Sequence, residues 1–431
     1  MKLPKFIKEN VLLKMTSLNA GVVGTRLVIA LFVQRLIASM LGASGVAIIG
    51  QLQSLTQLMT SVTSVGMFNG VVKYVAEFKE DKEQLQKLFS TTFVFTTTVC
   101  LLSSISFLFF SGQISEYLFD STKYAYIIKI MAVVLPFISM QRIFNGVING
   151  LSEYKKFAKI ELSAYLVSSA MTVIFLFQFN LDGVLLSLAI TPIIKLLALL
   201  FIFYKTLREY VQFKQLKFKL FMHKELLAFT VMSFFSTVLL SFVEIDIRSM
   251  ITDKITQDDA GIWTGMTNIS KNYMVFSNAI FTLYVLPKFA SIYNRTDFFK
   301  ELVSIYKTLL PLFGIGMILI YIFRNYVIML IYPDFYEMAP LFKWQLIGDF
   351  VRLASIVLSY QFVAKRMVKS FIITELLSLG LFYGFAYYLT DIYGVEGVVM
   401  AHMFRTLIYI IVVFILILVY FKRQDKQRTT A

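Results

Sequence analysis

Apolar residues along this chain come in long unbroken runs, not in the alternation of a half-buried strand or the single stripe of a soluble helix. Windows of about 20 mostly apolar residues, the length a helix needs to cross a bilayer, recur twelve times. They fall at about 15–40, 46–72, 88–111, 124–149, 157–179, 183–205, 226–251, 260–286, 303–323, 339–363, 368–389 and 395–420. Each predicts a membrane-spanning helix, because a chain in hydrocarbon must satisfy its own backbone. The first run, from Met15 to Met40, is too long for a signal peptide's apolar region and carries Arg26 and Arg35, so it reads as a retained first helix.

The polar positions between the runs are sorted by charge. Of the 41 lysines and arginines, 28 fall at the amino terminus, in every second loop and at the carboxyl terminus; the intervening loops hold Lys123, Lys254 and Arg324. That asymmetry is the positive-inside pattern and predicts cytoplasmic termini with an even number of spans.

The pattern also repeats. Lys155, Phe157, Glu161 and Leu162 match Lys369, Phe371, Glu375 and Leu376 at an offset of 214 residues, as Asp182-Gly183-Val184 matches Glu396-Gly397-Val398. Ser44-Gly45-Val46 resembles Ala260-Gly261-Ile262 at 216. The expected fold is therefore an all-α polytopic membrane protein. Twelve transmembrane helices form two six-helix lobes around a central cavity, and an even span number per lobe makes the pseudo-two-fold repeat parallel. The expected boundaries are an N-lobe over 1–205, a cytoplasmic basic linker over 206–225 and a C-lobe over 226–431.

Composition agrees: 58% of residues are hydrophobic and 16% charged, against about 25% charged in a soluble protein. The net charge of +15 would suggest nucleic acid in a soluble chain, but here the loop bias accounts for it and no nucleic-acid partner is expected. One cysteine, Cys100, excludes an intramolecular disulfide, and His223 and His402 have no metal-ligand spacing. No Walker sequence, GxSxG or paired-aspartate metal cluster occurs, so neither an enzyme nor a bound cofactor is expected.

What remains to be explained is ten cations inside the apolar runs: Arg26, Arg35, Lys129, Arg142, Lys195, Arg248, Lys271, Lys343, Arg352 and Arg405. Facing lipid, each would cost about 2.5–3.5 kcal/mol at mid-bilayer, together more than the roughly 5–15 kcal/mol that stabilises an ordinary fold. Some must face a wet or paired interior. Lys129 and Lys343 suit interfacial anchoring, and Arg142 suits either role. Arg26, Lys195, Lys271 and Arg405 fall about 14–18 Å deep, at 1.5 Å per residue from a span end.

Arg26 and Arg35 lie on opposite sides of an ideal helix, and Gly21 and Gly24 would allow a bend to bring them together. Glu244 and Arg248 at i,i+4, and Asp349 and Arg352 at i,i+3, are spaced for local pairs. In the sequence no basic residue stands at helical spacing from Asp246, which suits long-range pairing. His402, one turn from Arg405, can titrate near neutrality or simply pack. Glu161 and Glu375, at duplicated positions, suggest lobe packing. Gly66, Gly70, Gly146 and Gly150 have the small-xxx-small spacing of close helix packing. A cavity lined by guanidinium and ammonium groups would hold phosphate oxygens.

Three runs carry a family resemblance. They are Phe68-Asn69-Gly70-Val71-Val72-Lys73-Tyr74-Val75-Ala76; Gly261-Ile262-Trp263-x-Gly265, with Ile269-Ser270 and Tyr284-x-Leu286-Pro287; and Trp344-Gln345-Leu346-x-Gly348-Asp349, with Tyr360 and Ala364-Lys365. Together they resemble the Wzx-type O-antigen flippases, and among them the lipid III flippases of enterobacterial common antigen synthesis. These belong to the multidrug, oligosaccharidyl-lipid and polysaccharide exporter superfamily.

The resemblance implies a bacterial inner-membrane transporter. Its substrate would be a short glycan on undecaprenyl pyrophosphate, carried from the cytoplasmic to the periplasmic leaflet by alternating access. Arg26, Arg35, Arg248 and Arg352 fall on basic positions of the similar sequences and Asp349 on an aspartate, whereas Lys271 departs from an acidic position and Lys343 has no basic counterpart. The expected substrate-binding residues are thus Arg26, Arg35, Arg248 and Arg352, with Lys195, Lys271 and Arg405 behind them.

Asp349, Asp246, Glu244 and His402 are the candidates for pairing or ion coupling. Expected partners are the lipid-linked oligosaccharide and membrane lipids, with H⁺ or Na⁺ as coupling ion and other glycan-assembly membrane proteins as further candidates. A multidrug antiporter of the same superfamily is the alternative, but it calls for lone intramembrane carboxylates and here cations outnumber them. A membrane glycosyltransferase or polymerase calls for a large polar loop that this chain lacks.

Overall fold

The computed structural model describes residues 11–212 and 215–429, which leaves the amino-terminal Lys2, Lys5 and Lys8 outside it. Among the described residues are fifteen α-helices and no β-strand. They are α1 (Val11–Thr63), α2 (Phe68–Phe78), α3 (Lys82–Phe109), α4 (Ser111–Phe119), α5 (Ala125–Gly150), α6 (Tyr154–Tyr210), α7 (His223–Ser233), α8 (Leu239–Lys254), α9 (Gln257–Ile280), α10 (Leu286–Ser291), α11 (Arg295–Ile322), α12 (Arg324–Ile331), α13 (Leu341–Ala364), α14 (Val368–Tyr393) and α15 (Val395–Thr429).

Among the described residues, eight helical stretches are long and apolar enough to cross a membrane. Two of them are double, since α1 leaves helical geometry at Gly42 (φ 64°, ψ −169°) and α6 at Asn180 (φ 50°, ψ −132°). Two more continuous segments run α7–α8 and α9–α10 through single π-helical turns at Phe234–Val238 and Phe281–Val285. Twelve helical segments therefore stand where the apolar runs predict twelve spans. The protein is a multi-pass membrane protein.

Two expectations needed correction. The second span, expected to reach residue 72, stops at Thr63. Val65 (φ 51°) and Gly66 (φ 62°) turn the chain left-handed, and α2 restarts it as a short amphipathic helix burying Gly70, Val71, Tyr74 and Val75. The bend sought at Gly21 and Gly24 is also elsewhere: α1 breaks at Gly42, beyond both arginines, so it does not bring Arg26 and Arg35 onto one face.

The duplication is written into the backbone. Apart from Val65, the described non-glycine residues with positive φ fall into pairs separated by 214 positions: Asp120 with Asp334, Ser152 with Arg366, and Asn180 with Gly394. At the last pair the conformations nearly coincide, φ 50°, ψ −132° against φ 58°, ψ −142°. Gly183 and Gly397, also 214 apart, do the same job in each copy. A Cβ on Gly183 would lie 2.1 Å from the Phe175 carbonyl oxygen, and one on Gly397 2.2 Å from that of Leu389. In a straight helix residues eight apart are separated by about 12 Å, so the chain doubles back at both places and only glycine fits the approach. Helix starts repeat as well. Asp81 caps α3 by accepting from Glu83 and Gln84 N–H groups, and Asn294 caps α11 by accepting from Asp297 N–H.

The chain forms two compact units. The first comprises the residues up to Leu41 and Ile48–Ile245; the second comprises Gly42–Ala47 and the chain from Asp246 onward. In the first, Leu52, Ile128, Leu135 and Leu185 form one core cluster, and Val71, Leu88, Val147 and Phe203 another. The expected glycine packing is seen where α5 meets α2, since a Cβ on Gly150 would sit 2.8 Å from the Val72 carbonyl oxygen. In the second, Phe298, Leu353, Val357, Val413 and Phe421 pack together. Large apolar side chains remain on the outside, with Phe109 78% and Phe201 93% exposed; this is the surface that acyl chains cover.

Candidate functional site

The first unit holds a polar cavity of 660 Å³ walled by α1, α5 and α6 and touched by Thr237. Helical spacing builds its walls. Gln53, Gln57 and Thr60 share one face of the second half of α1, Gln141, Arg142 and Asn145 one face of α5, and Glu161, Thr191 and Lys195 project from the two halves of α6. Thr56 and Thr60 hydroxyls donate to the Leu52 and Thr56 carbonyls at 2.8 and 2.7 Å, which leaves their oxygens to accept from whatever fills the cavity.

Charge around this cavity is unbalanced. Arg26 Nη1 donates to Glu161 Oε2 at 3.1 Å across 135 residues of sequence, and its guanidinium lies 5.0 Å from the Tyr165 ring centroid. Arg142 stacks over Phe68, the first residue of α2, at 3.9 Å. Lys195 is half-buried on the cavity wall, within electrostatic reach of Glu161, Arg26 and Arg142. Three cations thus share one carboxylate among the described residues around this cavity. Such an excess is unfavourable in a dry membrane interior and becomes favourable once the cavity holds water or an anion.

The second unit gathers a different cluster. Asp349, 0% exposed, accepts from His402 Nε2 at 3.0 Å, Ser270 Oγ at 2.5 Å and Gln345 Nε2 at 3.0 Å, as well as from the Tyr273 hydroxyl. Arg352 lies within electrostatic reach, yet the expected local pair gives way to His402 as the cation-capable partner of Asp349. Arg405 is buried with its guanidinium 4.1 Å over Phe382, and Glu375 accepts from Tyr409 at 3.1 Å with Arg352 and Arg405 near it.

The remaining candidates are dispersed. Arg248, 2% exposed, donates from Nε to Thr264 at 2.8 Å and lies 5.2 Å from the Trp263 ring. Asp246 is hydrogen-bonded by Tyr383 of α14. Glu244 is half-buried on α8, and Arg35 and Lys271 are exposed. Lys343 stacks on Trp344 at 4.3 Å, as an interfacial anchor does.

Among the candidate cations, then, the structure brings Arg26 together with Lys195, and Arg352 together with Arg405. Sequence reasoning missed that Glu161 is the carboxylate of the first group and that Arg142 belongs to it. Their signal was present but indirect: Gln141, Arg142 and Asn145 make a polar face inside an otherwise apolar run.

A family model described as "Polysaccharide biosynthesis protein" matches residues 12–293. The chain is 26% identical over 385 residues to the lipid III flippase of Escherichia coli (strain K12), a match covering 88% of this chain and 91% of the relative. The lipid III flippase of Shigella flexneri matches to the same extent. Among solved structures, an inward-facing multidrug resistance MATE family transporter of the MOP superfamily superposes with a TM-score of 0.77 at 14% identity, covering 93% of this chain and 96% of its own. The lipid II flippase MurJ, in an inward closed conformation, gives 0.74 at 15% identity, covering 92% and 87%. These superpositions establish the fold.

Proposed function

Because this chain belongs to the polysaccharide biosynthesis protein family, we propose that it is a flippase for an oligosaccharide linked to undecaprenyl pyrophosphate. It moves that lipid from the cytoplasmic to the periplasmic leaflet of a bacterial inner membrane, with both termini cytoplasmic. The observation that carries this reading is the cationic cavity of the first unit, where Arg142 and Lys195 on the wall, with Arg26 bound to the wall residue Glu161, outnumber that one carboxylate. Guanidinium groups hold phosphate oxygens through fixed donors, and the ammonium of Lys195 supplies a point charge beside them. Gln53, Gln57, Gln141 and Asn145 supply amides for sugar hydroxyls in the same cavity. The name of the lipid III flippase relatives points the same way.

Phosphate contact falls first to Arg26, Arg142 and Lys195. Arg248 is engaged with Thr264 and Trp263 and serves the packing of α8 on α9. An organic-cation exporter would repel its own substrate from a cavity of this charge.

The test is an Arg142→Ala, Lys195→Ala double variant expressed in a deletion strain. It should leave protein abundance near normal while surface glycan is lost and one undecaprenyl-linked oligosaccharide accumulates in the cell. Wild-type glycan in that strain would sink the proposal.

A further inference from the structure

A groove on the surface of the second unit lies apart from the cation clusters described above. It has a volume of 470 Å³ and runs between two helices, walled by Gly314, Ile318 and Tyr321 of α11 and by Lys343, Ile347 and Phe350 of α13. Gly314 gives it depth, since a Cβ there would lie 3.3 Å from Phe350 Cε2. An adjoining groove shares Gly314, Ile318 and Phe350 and continues along α11 past Pro311 and Leu310. Ile318 and Ile347 are 60% and 43% exposed, so the apolar walls stand open.

One end of the groove is cationic. Lys343 lies 4.3 Å from the ring centroid of Trp344, whose indole N–H is held by Glu396 at 2.5 Å. Arg324, the first residue of α12, donates from Nη1 to the Tyr321 carbonyl at 2.9 Å. Its guanidinium lies 4.6 Å from the ring centroid of the same tyrosine, which lines the groove beside Lys343. Of the three cations in the sparsely charged loops, Lys123 is paired with Asp182 at 3.4 Å and Lys254 with Asp391 at 2.8 Å. The third is Arg324. Among the described residues neither Arg324 nor Lys343 forms an ion pair, and the acidic side chains of the segment between them, Asp334 and Glu337, are exposed. A cation resting on an aromatic face keeps N–H donors for another acceptor.

The length of the groove suits one acyl chain. From Tyr321 to Leu310 is about 16 Å at 1.5 Å per residue, close to the roughly 15 Å that one leaflet contributes to a hydrocarbon core of about 30 Å. An undecaprenyl tail is far longer. Two cations without carboxylate partners complement a phosphodiester, whereas a zwitterionic headgroup brings an ammonium of its own to the same place.

We propose that this groove is a binding site for an anionic phospholipid of the phosphatidylglycerol type. Its phosphodiester sits between Arg324 and Lys343, and one acyl chain lies along Gly314, Ile318 and Phe350. The site is independent of the flippase reading; only the leaflet, the periplasmic one, follows from the orientation proposed above.

The experiment uses the purified full-length protein in phosphatidylcholine vesicles. The probes are phosphatidylglycerol and phosphatidylethanolamine with brominated acyl chains, which quench a nearby indole. Of the two tryptophans Trp263 is 3% exposed, while Trp344 stands beside Lys343 and reports on the groove; a Trp344→Phe variant gives the background. Brominated phosphatidylglycerol should quench Trp344 saturably at a mole fraction roughly tenfold below that needed for phosphatidylethanolamine, the scale of one charge-assisted hydrogen bond. The Arg324→Gln, Lys343→Gln double variant should make the two lipids quench alike. Gly314→Leu, which fills the groove, should remove the saturable component. Equal quenching by the two lipids in the wild-type protein overturns the proposal without any variant having to fold. A preference for phosphatidylglycerol that survives in the double variant, or saturable quenching that survives Gly314→Leu, overturns it too. Unlabelled undecaprenyl pyrophosphate that restores the fluorescence at a lower mole fraction than unlabelled phosphatidylglycerol would give the groove to a polyprenyl tail and reject the phospholipid.

Discussion

Arg142 shows what a single residue contributes to the cavity. Its guanidinium lies 3.9 Å from the Phe68 ring centroid, a contact that restricts the side chain before any ligand arrives, so less entropy is lost on binding. A buried charge-assisted hydrogen bond contributes about 1.5–3 kcal/mol, so Arg142→Ala should lower transport roughly 10- to 100-fold, at about 1.4 kcal/mol per tenfold. Arg142→Lys keeps the charge but loses the planar donor fork and should fall between wild type and the alanine variant. Initial rates in vesicles, normalised to protein, check both. Equal loss in the lysine and alanine variants would show that charge alone carries little of the effect. Arg142 was undecided from sequence because nothing local announces its partners. Arg26 and Glu161 were hidden for the same reason: 135 residues separate them, and an ion pair at that distance has no periodic signature.

At the scale of elements the duplicated turn makes two opposite predictions. Asn180 and Gly394 adopt the same positive-φ conformation, which costs a side-chain-bearing residue about 1–3 kcal/mol. Asn180→Gly should therefore raise the unfolding temperature of the detergent-solubilised protein, and Gly394→Ala should lower it. Gly183→Ala and Gly397→Ala, each pressing a methyl group into a carbonyl oxygen, should both cut the yield of monodisperse protein on size exclusion, by similar amounts. The long helices were legible because apolar runs of about 20 residues have no other stable home in a membrane. The break after Thr63 and the π-helical turns were not, because each rests on the conformation of a few residues inside a run that stays apolar throughout. The matches at an offset of 214 were weak one at a time; the paired backbone conformations give them their physical content.

For the whole molecule, twelve spans could be read from hydropathy and charge and two similar halves from the matches at an offset of 214, whereas the grouping of cations could not. From the sequence, the ten intramembrane cations could be sorted only by depth and by resemblance. In the folded chain they separate into a first-unit group around Glu161, a second-unit group around Asp349 and Glu375, and residues held in packing or left at the surface. The proposed function of that grouping is to carry a pyrophosphate-linked glycan across the membrane. The most direct measurement is the leaflet distribution of undecaprenyl-linked oligosaccharide in sealed inner-membrane vesicles from a deletion strain, with and without the restored chain. Lipid-linked sugar confined to the cytoplasmic leaflet until the protein is restored, and then reaching the periplasmic leaflet, is the predicted result. An unchanged distribution between the two preparations would contradict it.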